Sequence, residues 1–349
     1  MLINGRFLSQ RTTGVQRFAR EILGATVEAG LLPKGSVIFA PKGTDIPSQL
    51  HGIPVQQYGR LHGHAWEQLD LLRAEADKLL VNFCNTAPMG RARQLVMLHD
   101  AMIAAYPKNF TFAFRCWYQM MIRAYGHRAQ YLATASEFSA DEIARHFGIR
   151  RGHIEVIPES GEHMRSITPD YAVLEKFGLA RDGYFLAVSS MAANKNFAGV
   201  LKAVAKLPNL THKFVIVGGR NAKVFSGDQP DISGAVEVGY LTDGGLRALY
   251  EQAACFVYPS FYEGFGLPPL EAMTCGCPVL VSDAASLPEV CGEAALYCDP
   301  HDTDDIARQL SRLLESAALR AELREAGLKR AGEWTWKKAA QRLLEITGA

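Results

Sequence analysis

The segment CFVYPSFYEGFGLPPLEAMTCG, residues 255–276, joins an apolar strand to a helix through a loop rich in glycine and proline. Two consecutive prolines, Pro268 and Pro269, suit the start of a helix, where a missing N–H costs little and the fixed φ of proline is already helical. The apolar run CFVYP that precedes the loop is typical of a buried parallel strand. The segment therefore predicts one strand–loop–helix unit of a parallel α/β sheet, with a helix from Leu270 to Cys275.

The loop itself combines two glycines with two flanking carboxylates. Gly264 and Gly266 allow unusual backbone dihedral angles and let a ligand come close to the main chain. The free N–H groups of the loop and of the first helical turn favour an anion such as a diphosphate. Glu263 and Glu271 can accept hydrogen bonds from hydroxyls on either side of that anion. A nucleoside-diphosphate sugar has this order of groups, although Glu271 could instead complement the helix dipole and Glu263 could be a solvated loop charge.

Outward from this loop, short apolar runs alternate with amphipathic stretches of helical length. This alternation predicts an α/β fold built from two doubly wound, Rossmann-like parallel sheets. The runs are SVIFA (36–40), LLVNF (79–83), QLVMLHD (94–100), YLATAS (131–136), IEVIP (154–158), YFLAVSS (184–190), KFVIVGG (213–219), CFVYPS (255–260) and PVLVSD (278–283).

The length of 349 residues suits two domains of about 150 to 200 residues each. The apolar runs fall into two groups, which a polar stretch with proline and glycine at 158–169 separates. We therefore predict an N-terminal domain over 1–165 and a C-terminal domain over 166–334. A closing helix in 335–349 either extends the second domain or crosses back to the first. Because open α/β sheets bind ligands at the carboxyl ends of their strands, we expect the site in a cleft between the domains.

Composition narrows the class of protein. The chain has 48% hydrophobic and 21% charged residues, which is typical of a soluble globular protein, and no apolar run reaches the ~20 residues of a membrane span. The N-terminus does not resemble a signal peptide, so we expect a cytoplasmic protein. A net charge of +1 provides no basic field for nucleic acid. The seven cysteines lack paired CxxC spacing and indicate reduced core thiols rather than a metal site.

The stretch GYLTDGG…LYCDP, residues 239–300, resembles the donor-binding domain of glycosyltransferase family 4. The signature of that family is a pair of glutamates separated by seven residues, which Glu263 and Glu271 reproduce. The resemblance implies a GT-B fold and a retaining transfer of a hexose from a nucleotide sugar. The implied acceptor is a glycan or a lipid-linked saccharide in surface polysaccharide synthesis. Because the start TGVQRFAREI (13–22) is similar to bacterial O-antigen mannosyl- and rhamnosyltransferases, we expect GDP-mannose as donor first and a UDP-hexose second.

The resemblance also assigns individual residues. In the family the first glutamate contacts the hexose, the second contacts the ribose, and a lysine after the first strand of the C-terminal domain binds the diphosphate. Lys195 is that lysine here, and it lacks the usual basic neighbour, for which Arg220 is an alternative. The implied donor-binding residues are Gly14, Asn194, Lys195, Arg220, Tyr240, Leu241, Glu263, Gly264, Phe265, Gly266, Leu267 and Glu271.

Two implied residues lie in the N-terminal half. Gly14, in RTTGVQRFAREI, matches the family's glycine loop, which approaches the donor phosphates and the acceptor. His99 ends the strand QLVMLHD, and in the family a histidine at this place faces the donor sugar near the reacting carbon. The catalytic residues that the resemblance implies are therefore His99, Glu263 and Lys195.

The resemblance implies a front-face reaction in which the leaving diphosphate accepts the proton of the acceptor. Lys195, the loop amides and the helix dipole then stabilise the diphosphate. We expect no metal and no other cofactor, since no DxD motif stands in a plausible donor position.

Three other functions remain open. A sugar-nucleotide epimerase or hydrolase has the same fold and needs no acceptor. A non-catalytic nucleotide-sugar-binding protein is the second alternative, and Glu263, Lys195 and His99 argue against it. A dinucleotide-dependent dehydrogenase is disfavoured because no GxGxxG follows a first strand.

The stretch NFTFAFRCWYQMMIRAYGHR, residues 109–128, is rich in aromatic residues, methionine and arginine. Such a stretch can rest on an anionic membrane surface, as enzymes with lipid-linked acceptors do. A buried helix whose arginines extend to solvent explains the composition equally well. Peripheral membrane contact therefore stays one of two interpretations.

Overall fold

The structure is a computed structural model that describes residues 1–43, 46, 49–188, 193–207, 210–218 and 235–348. The strands are short, as expected for an α/β protein. They are β1 (Leu2–Asn4), β2 (Val37–Pro41), β3 (Gln49–Leu50), β4 (Ile53–Tyr58), β5 (Leu80–Asn82), β6 (Gln94–Met97), β7 (Tyr131–Thr134), β8 (Ile154–Val156), β9 (Tyr184–Val188), β10 (Lys213–Val217), β11 (Val236–Gly239), β12 (Cys255–Tyr258), β13 (Val279–Ser282) and β14 (Leu296–Cys298).

Helices connect most of these strands. They are α1 (Gly14–Glu28), α2 (Gly63–Ala65), α3 (Met102–Ala105), α4 (Phe112–Arg128), α5 (Glu137–Phe147), α6 (Ala172–Phe177), α7 (Phe197–Val204), α8 (Asp243–Gln252), α9 (Leu267–Thr274), α10 (Leu287–Cys291), α11 (Thr303–Glu315), α12 (Ala317–Glu333) and α13 (Trp336–Thr347). Helix α2 continues directly into a π-helical turn, Trp66–Leu71.

The chain divides into two compact units. Unit 1 comprises Met1–Ala105, Phe112–Glu159 and Trp336–Ala349, and unit 2 comprises Tyr106–Thr111 and Ser160–Thr335. The main division therefore falls after Glu159, slightly before the expected boundary at 165/166.

Unit 1 is built on a sheet with the strand order β3-β4-β2-β1-β5-β6-β7-β8. All neighbouring strands pair parallel except β3, which pairs antiparallel with β4 at the edge. The closing helix α13 belongs to this unit, where the ring of Trp336 packs edge-on against Phe18 of α1 at 5.8 Å between centroids. An ion pair of 2.6 Å between Arg342 and Glu155 fixes the same helix beside β8.

Unit 2 is built on an all-parallel sheet with the strand order β11-β10-β9-β12-β13-β14. Its core packs aromatic and aliphatic side chains from both sides of β9, including Phe185 and Phe214, whose rings stack at 4.9 Å. The chain leaves β9 toward β10 on one side and returns to β12 on the other. This reversal of strand order between β9 and β12 is where doubly wound sheets bind ligands.

Each of the nine apolar runs singled out in the sequence coincides with all or most of a strand of the structure. The helix after the glycine–proline loop begins at Leu267 rather than at Leu270. Both prolines therefore lie inside its first turn, where they remove only N–H groups that have no partner within a helix.

All seven cysteines are free thiols. Burial raises the pKa of the Cys255 and Cys291 thiols to about 12, so both are neutral packing groups near pH 7. Within the ranges that the structure describes, no helix is both long enough and apolar enough to cross a bilayer.

Candidate functional site

The glycine loop of unit 2 connects β12 to α9 by a left-handed turn. Gly266 caps α9 with φ +108°, a conformation that side chains disfavour. A Cβ added at this glycine would lie 2.6 Å from Cδ2 of Leu287. Both the backbone conformation and the packing therefore require glycine at this position.

Side chains from elsewhere in unit 2 also fix the loop. The hydroxyl of Ser286 lies 3.0 Å from the carbonyl oxygen of Glu263 and 2.7 Å from that of Phe265, so one proton serves both acceptors. The ring of Phe265 packs edge-on against Trp334 with 5.5 Å between centroids. The loop that carries Glu263 is thus fixed by its own unit.

Lys195 and Glu263 contact each other at the switch point of the sheet. The Lys195 ammonium lies 2.7 Å and 2.9 Å from the two carboxylate oxygens of Glu263 and donates to the Tyr258 hydroxyl at 2.8 Å. Glu263 is buried and the Lys195 side chain is largely so. Burial, followed by the charge of Glu263, holds the pKa of Tyr258 well above its usual range, so its hydroxyl stays protonated. The two residues expected to hold the diphosphate and the hexose therefore form one ion pair.

Two asparagines, Asn194 and Asn196, flank Lys195. Asn194 is buried. The nitrogen of its side-chain amide donates to the backbone carbonyl of Tyr262 at 3.2 Å, and the backbone carbonyl of Asn194 accepts from the N–H of Phe261 at 2.8 Å. The sequence placed Asn194 where relatives carry a second cation, whereas the structure uses it to tie the 193–195 turn to the 261–263 loop.

Asn196, which the sequence did not single out, caps helix α7 with φ +57°. Its amide nitrogen donates to the carbonyls of Pro259 and Pro300 at 3.1 Å and 2.7 Å. A capping asparagine directly after Lys195 was the available sequence signal, because asparagine tolerates left-handed backbone and caps helices.

The second glutamate has a protein partner. Oε1 of Glu271 lies 3.1 Å from Nε2 of His163, and both residues are buried. His163 belongs to the 3-10 turn Glu162–Arg165, in the stretch where the sequence predicted only a polar linker. The sequence carried no signal for this contact, because 108 positions separate the two residues.

The remaining residues expected to bind the donor differ in their burial. Gly264 and Leu267 are buried in the loop and in the first turn of α9. Tyr240 is 56% exposed and Leu241 is partly buried, directly after β11. Arg220 lies outside the described residues.

In unit 1, His99 is buried between two acceptors. Its Nδ1 lies 2.9 Å from Oε1 of Glu159, and its Nε2 lies 2.8 Å from the carbonyl oxygen of Phe83. Burial, the largest influence, lowers the pKa of His99, but the hydrogen bond and charge of Glu159, with Phe83 and Asp100, outweigh it and the pKa is raised. Both ring nitrogens thus face acceptors, an arrangement that favours the doubly protonated imidazolium. A role toward a donor sugar stays a prediction, and it requires the ring to give up one of these acceptors.

Gly14 begins helix α1 in unit 1, after the N-cap residue Thr13. The backbone N–H of Thr13 donates to the side chain of Gln16 at 3.1 Å. A Cβ added at Gly14 would meet no described atom within 4 Å. Packing within the described residues therefore gives no reason for glycine at this helix N-terminus, and a role of Gly14 toward the donor stays a prediction.

A buried polar network in unit 1 was missed by the sequence argument. Glu67, fully buried, lies 3.2 Å from Nε of Arg6 and accepts from Asn4 and Thr86 at 2.9 Å and 2.7 Å. Burial alone would raise the pKa of Glu67, but the hydrogen bond from His64 and the contacts with Arg6, Asn4 and Thr86 lower it. The network joins Glu67 of the π-helical turn to Asn4 at the end of β1, to Arg6 just after it and to Thr86 after β5. No local sequence pattern predicts these contacts.

Among the described residues, no three histidine, cysteine, aspartate or glutamate side chains gather closely enough to hold a metal ion.

Two units with parallel sheets, the second carrying a lysine–glutamate pair at its switch point and a glycine-capped helix beside it, define a protein of the GT-B glycosyltransferase fold. Residues 175–330 match the family Glycosyl transferases group 1.

Known proteins similar to the chain agree with this class. It is 36% identical over 226 residues to O-antigen chain mannosyltransferase B of Escherichia coli, covering 60% of this chain and 58% of that protein. It is 30% identical over 237 residues to O-antigen chain mannosyltransferase RfbU of Salmonella typhimurium, covering 66% and 64%. The matches thus span less than two thirds of these relatives.

Among solved structures, Alr3699/HepE of Anabaena in complex with UDP and glucose superposes with a TM-score of 0.76. The superposition covers 100% of this chain and 99% of that one at 15% identity, which supports the fold.

Proposed function

We propose that this chain is a retaining glycosyltransferase that moves a hexose from a nucleotide sugar to a glycan or lipid-linked saccharide in surface polysaccharide synthesis. The observation that carries the proposal is the buried contact between Lys195 and Glu263 at the switch point of unit 2, beside the N-terminus of α9. A hexose needs hydrogen-bond acceptors and a diphosphate needs cationic donors, and this centre offers both. The family match and the mannosyltransferase relatives support the same reaction.

The donor we propose first is GDP-mannose. Both relatives described above are named as mannosyltransferases, and this is the support for mannose. A UDP-hexose is the second candidate, because a structure of similar fold holds UDP and glucose.

The proposed chemistry uses groups of the chain rather than a metal. The bond between the anomeric carbon and the phosphate oxygen breaks, and its electron pair leaves with the diphosphate. The acceptor oxygen attacks the same face of the sugar, and its proton passes to the departing diphosphate. Lys195 and the positive end of the α9 helix dipole stabilise the charge that develops there. Glu263 and Glu271 orient the hexose and the ribose, and unit 1 supplies the acceptor site.

Glu263 neutralises the charge of the Lys195 ammonium. A bound diphosphate carries more charge than one carboxylate, so it competes for the same ammonium protons. Donor binding then leaves Glu263 able to accept hydrogen bonds from sugar hydroxyls. The ion pair therefore holds the side chains of Lys195 and Glu263 in position, and neither buried charge is left uncompensated.

The test compares GDP-mannose, UDP-glucose and UDP-galactose, each with and without a polyprenyl-linked saccharide acceptor. We expect one donor to be consumed only when acceptor is present, with activity retained in EDTA. Rapid turnover to an epimer or free sugar without acceptor would instead establish a same-fold epimerase or hydrolase. Donor binding with no transfer to any acceptor would establish a binding protein, and complete loss in EDTA would contradict metal-free chemistry.

We further propose that the chain works at the cytoplasmic face of a membrane through the segment 109–128. The side chains of Phe112 and Met120 on α4 are 72% and 47% exposed, although both are apolar. The segment contains three arginines and no aspartate or glutamate, a charge that favours anionic lipid. Aromatic residues with neighbouring arginines are typical of surfaces that lie in the lipid interface.

Sedimentation with vesicles tests this contact. We expect the chain to pellet with vesicles of phosphatidylglycerol and phosphatidylcholine but not with phosphatidylcholine alone. The double variant Phe112→Ser/Met120→Ser should lose the binding. Leu328→Ser is the matched control, because Leu328 is an exposed apolar residue of unit 2, 43% exposed. Equal pelleting of the double variant and the wild type would remove α4 as the contact.

A further inference from the structure

The stretch at the beginning of unit 2 is a fixed part of that unit rather than a loose linker. The hydroxyl of Ser160 donates to the carbonyl of Trp334 at 2.9 Å and accepts from the N–H of Glu162 at 3.0 Å. Met164, two residues further on, is 1% exposed. The hydroxyl of Ser166 donates to the carbonyl of His163 at 2.9 Å. The backbone that carries His163 is therefore anchored on both sides.

The same stretch lies directly against helix α9. A Cβ added at Gly161 would lie 2.7 Å from the carbonyl oxygen of Leu270 and equally close to the hydroxyl of Thr274. That hydroxyl already donates to the Leu270 carbonyl at 2.8 Å. Glycine at position 161 thus permits a backbone approach that any larger residue would block. This approach brings the imidazole of His163 to the side of α9 where Glu271 lies.

The contact between the two side chains has a defined direction. Nε2 of His163 faces Oε1 of Glu271 at 3.1 Å, and the two side chains are 3% and 9% exposed. Because it faces a carboxylate, Nε2 carries a proton and donates it. Each carboxylate oxygen has two lone pairs, so the contact uses one of about four acceptor positions. Glu271 therefore keeps enough acceptor capacity for two adjacent hydroxyls.

We propose that His163 is a positioning residue for Glu271, holding its carboxylate in the orientation that receives the ribose hydroxyls of the donor. This proposal rests on the proposed function, in which Glu271 binds the ribose. A free glutamate side chain has three rotatable bonds, and a ligand that binds it must first restrict them. A protein hydrogen bond that restricts them beforehand strengthens binding without touching the ligand. The effect belongs to nucleotide affinity and not to the transfer step.

The test measures the Kd of a nucleoside diphosphate by isothermal titration calorimetry. GDP, UDP, ADP and dTDP are screened on the wild-type chain, and the tightest binder is then used with His163→Ala, His163→Gln, Glu271→Ala and the double alanine variant. We expect His163→Ala to raise the Kd about threefold to tenfold, the effect of freeing one or two side-chain rotors. The kcat at saturating donor should stay within twofold of wild type, on the order of ordinary assay scatter.

Two results separate positioning from general packing. His163→Gln, whose amide N–H reaches to about the same distance as Nε2, should restore the wild-type Kd. In the Glu271→Ala background, removing the imidazole should cause no further change in Kd, because the residue through which it acts is gone. A purely structural role would instead weaken both backgrounds equally and would not be repaired by glutamine.

A matched control is His212→Ala, which removes a partly exposed imidazole of the same unit beside the start of β10 and should bind as wild type does. If His163→Ala strongly lowers the melting temperature, His163→Leu is compared with His163→Gln instead. Leucine fills the volume of the imidazole but has no hydrogen-bond donor for Glu271.

The two proposals fail differently. A wild-type chain that binds none of the four nucleotides contradicts the proposed function, and the role of His163 falls with it. The positioning role alone is overturned if the wild-type chain binds one nucleotide and His163→Ala leaves its Kd unchanged. It is also overturned if the effects of the two substitutions on Kd add up in the double variant.

Discussion

At the scale of single residues, the buried ion pair between Lys195 and Glu263 is the centre of the candidate site. Taking two charges out of water costs several kcal/mol per ion, and mutual attraction recovers this only when the remaining hydrogen bonds are made. Tyr258 makes one of those bonds and also lies beneath the ammonium, 5.1 Å from Nζ to the ring centroid. Tyr258 therefore offsets part of the desolvation cost of the ion pair, and in the proposed reaction a diphosphate competes with Glu263 for the ammonium.

Removing the ammonium tests its catalytic role. We expect Lys195→Met to lower kcat by about 10²- to 10³-fold, because the developing charge on the leaving diphosphate loses a fixed donor. Lys206→Met is the matched control, since Lys206 is an exposed lysine of the same unit that pairs with Asp304 at 2.6 Å. Steady-state kinetics at saturating donor measure the effect, and wild-type turnover in Lys195→Met would remove the assignment.

The His99–Glu159 pair should make the stability of the protein depend on pH. The folded state raises the pKa of His99 above its ordinary value near 6.5, so the pair stabilises fully below about pH 6.5. This contribution is lost as the pH rises through the folded-state pKa, where the imidazolium gives up its proton.

Melting temperatures between about pH 5.5 and 9 measure this, comparing wild type with Glu159→Gln. The melting temperature of the wild type should exceed that of the variant most at the acidic end, and the two curves should converge as the pH rises. A gap that widens with increasing pH would contradict the assignment of an imidazolium.

At the scale of elements, the glycines at the N-termini of α1 and α9 differ in the space around them and in their backbone conformation. Gly266 has φ +108° and no room for a Cβ, whereas Gly14 has open space around it. Alanine at 266 should lower the free energy of unfolding by about 1–3 kcal/mol, as expected for forced left-handed backbone and a close contact.

Alanine at 14 should instead leave the melting temperature unchanged or slightly raised, since alanine favours a helix over glycine. If the donor phosphates approach this helix, the same change should lower kcat/KM for the donor about tenfold or more. Thermal melting and donor kinetics on the two variants separate the two kinds of glycine. Unchanged kinetics in Gly14→Ala would exclude Gly14 from the donor site.

The sequence was informative wherever an element carried a local signal. The strands with four or five consecutive apolar residues were predicted, because burial on both faces leaves a continuous run. The shorter strands β5 (LVN) and β8 (IEV) were also predicted, because apolar residues flank them in the runs LLVNF and IEVIP, whereas β1 (LIN), β11 (VEVG) and β14 (LYC) were not predicted. The start of α9 was predicted at Leu270 rather than at Leu267, because the two prolines were placed at the entry to the helix rather than inside its first turn.

The site was predictable in part for the same reason. Glu263, Gly266 and Glu271 lie in one motif, so spacing alone connects them. His163 and the Glu67 network are assembled by contacts between distant positions, and pairwise packing of that kind leaves no periodic trace. Likewise, nothing local showed that both ring nitrogens of His99 would be occupied.

At the scale of the whole molecule, the two units have separate proposed tasks. Unit 2 contains the family match and nearly all residues proposed to hold the donor, whereas unit 1 contains Gly14, His99 and the exposed helix α4. The chain returns to unit 1 through α13, so residues from both ends of the sequence complete its core.

The central claim is a transfer that retains the configuration of the donor sugar. The direct measurement is the proton NMR spectrum of the glycoside formed by the full chain from an α-linked nucleotide sugar and a lipid-linked saccharide, with EDTA present. We expect an α-linked product that the wild type forms and that Glu263→Ala does not form. A β-linked product, or an α-linked product formed equally well by Glu263→Ala, would contradict it.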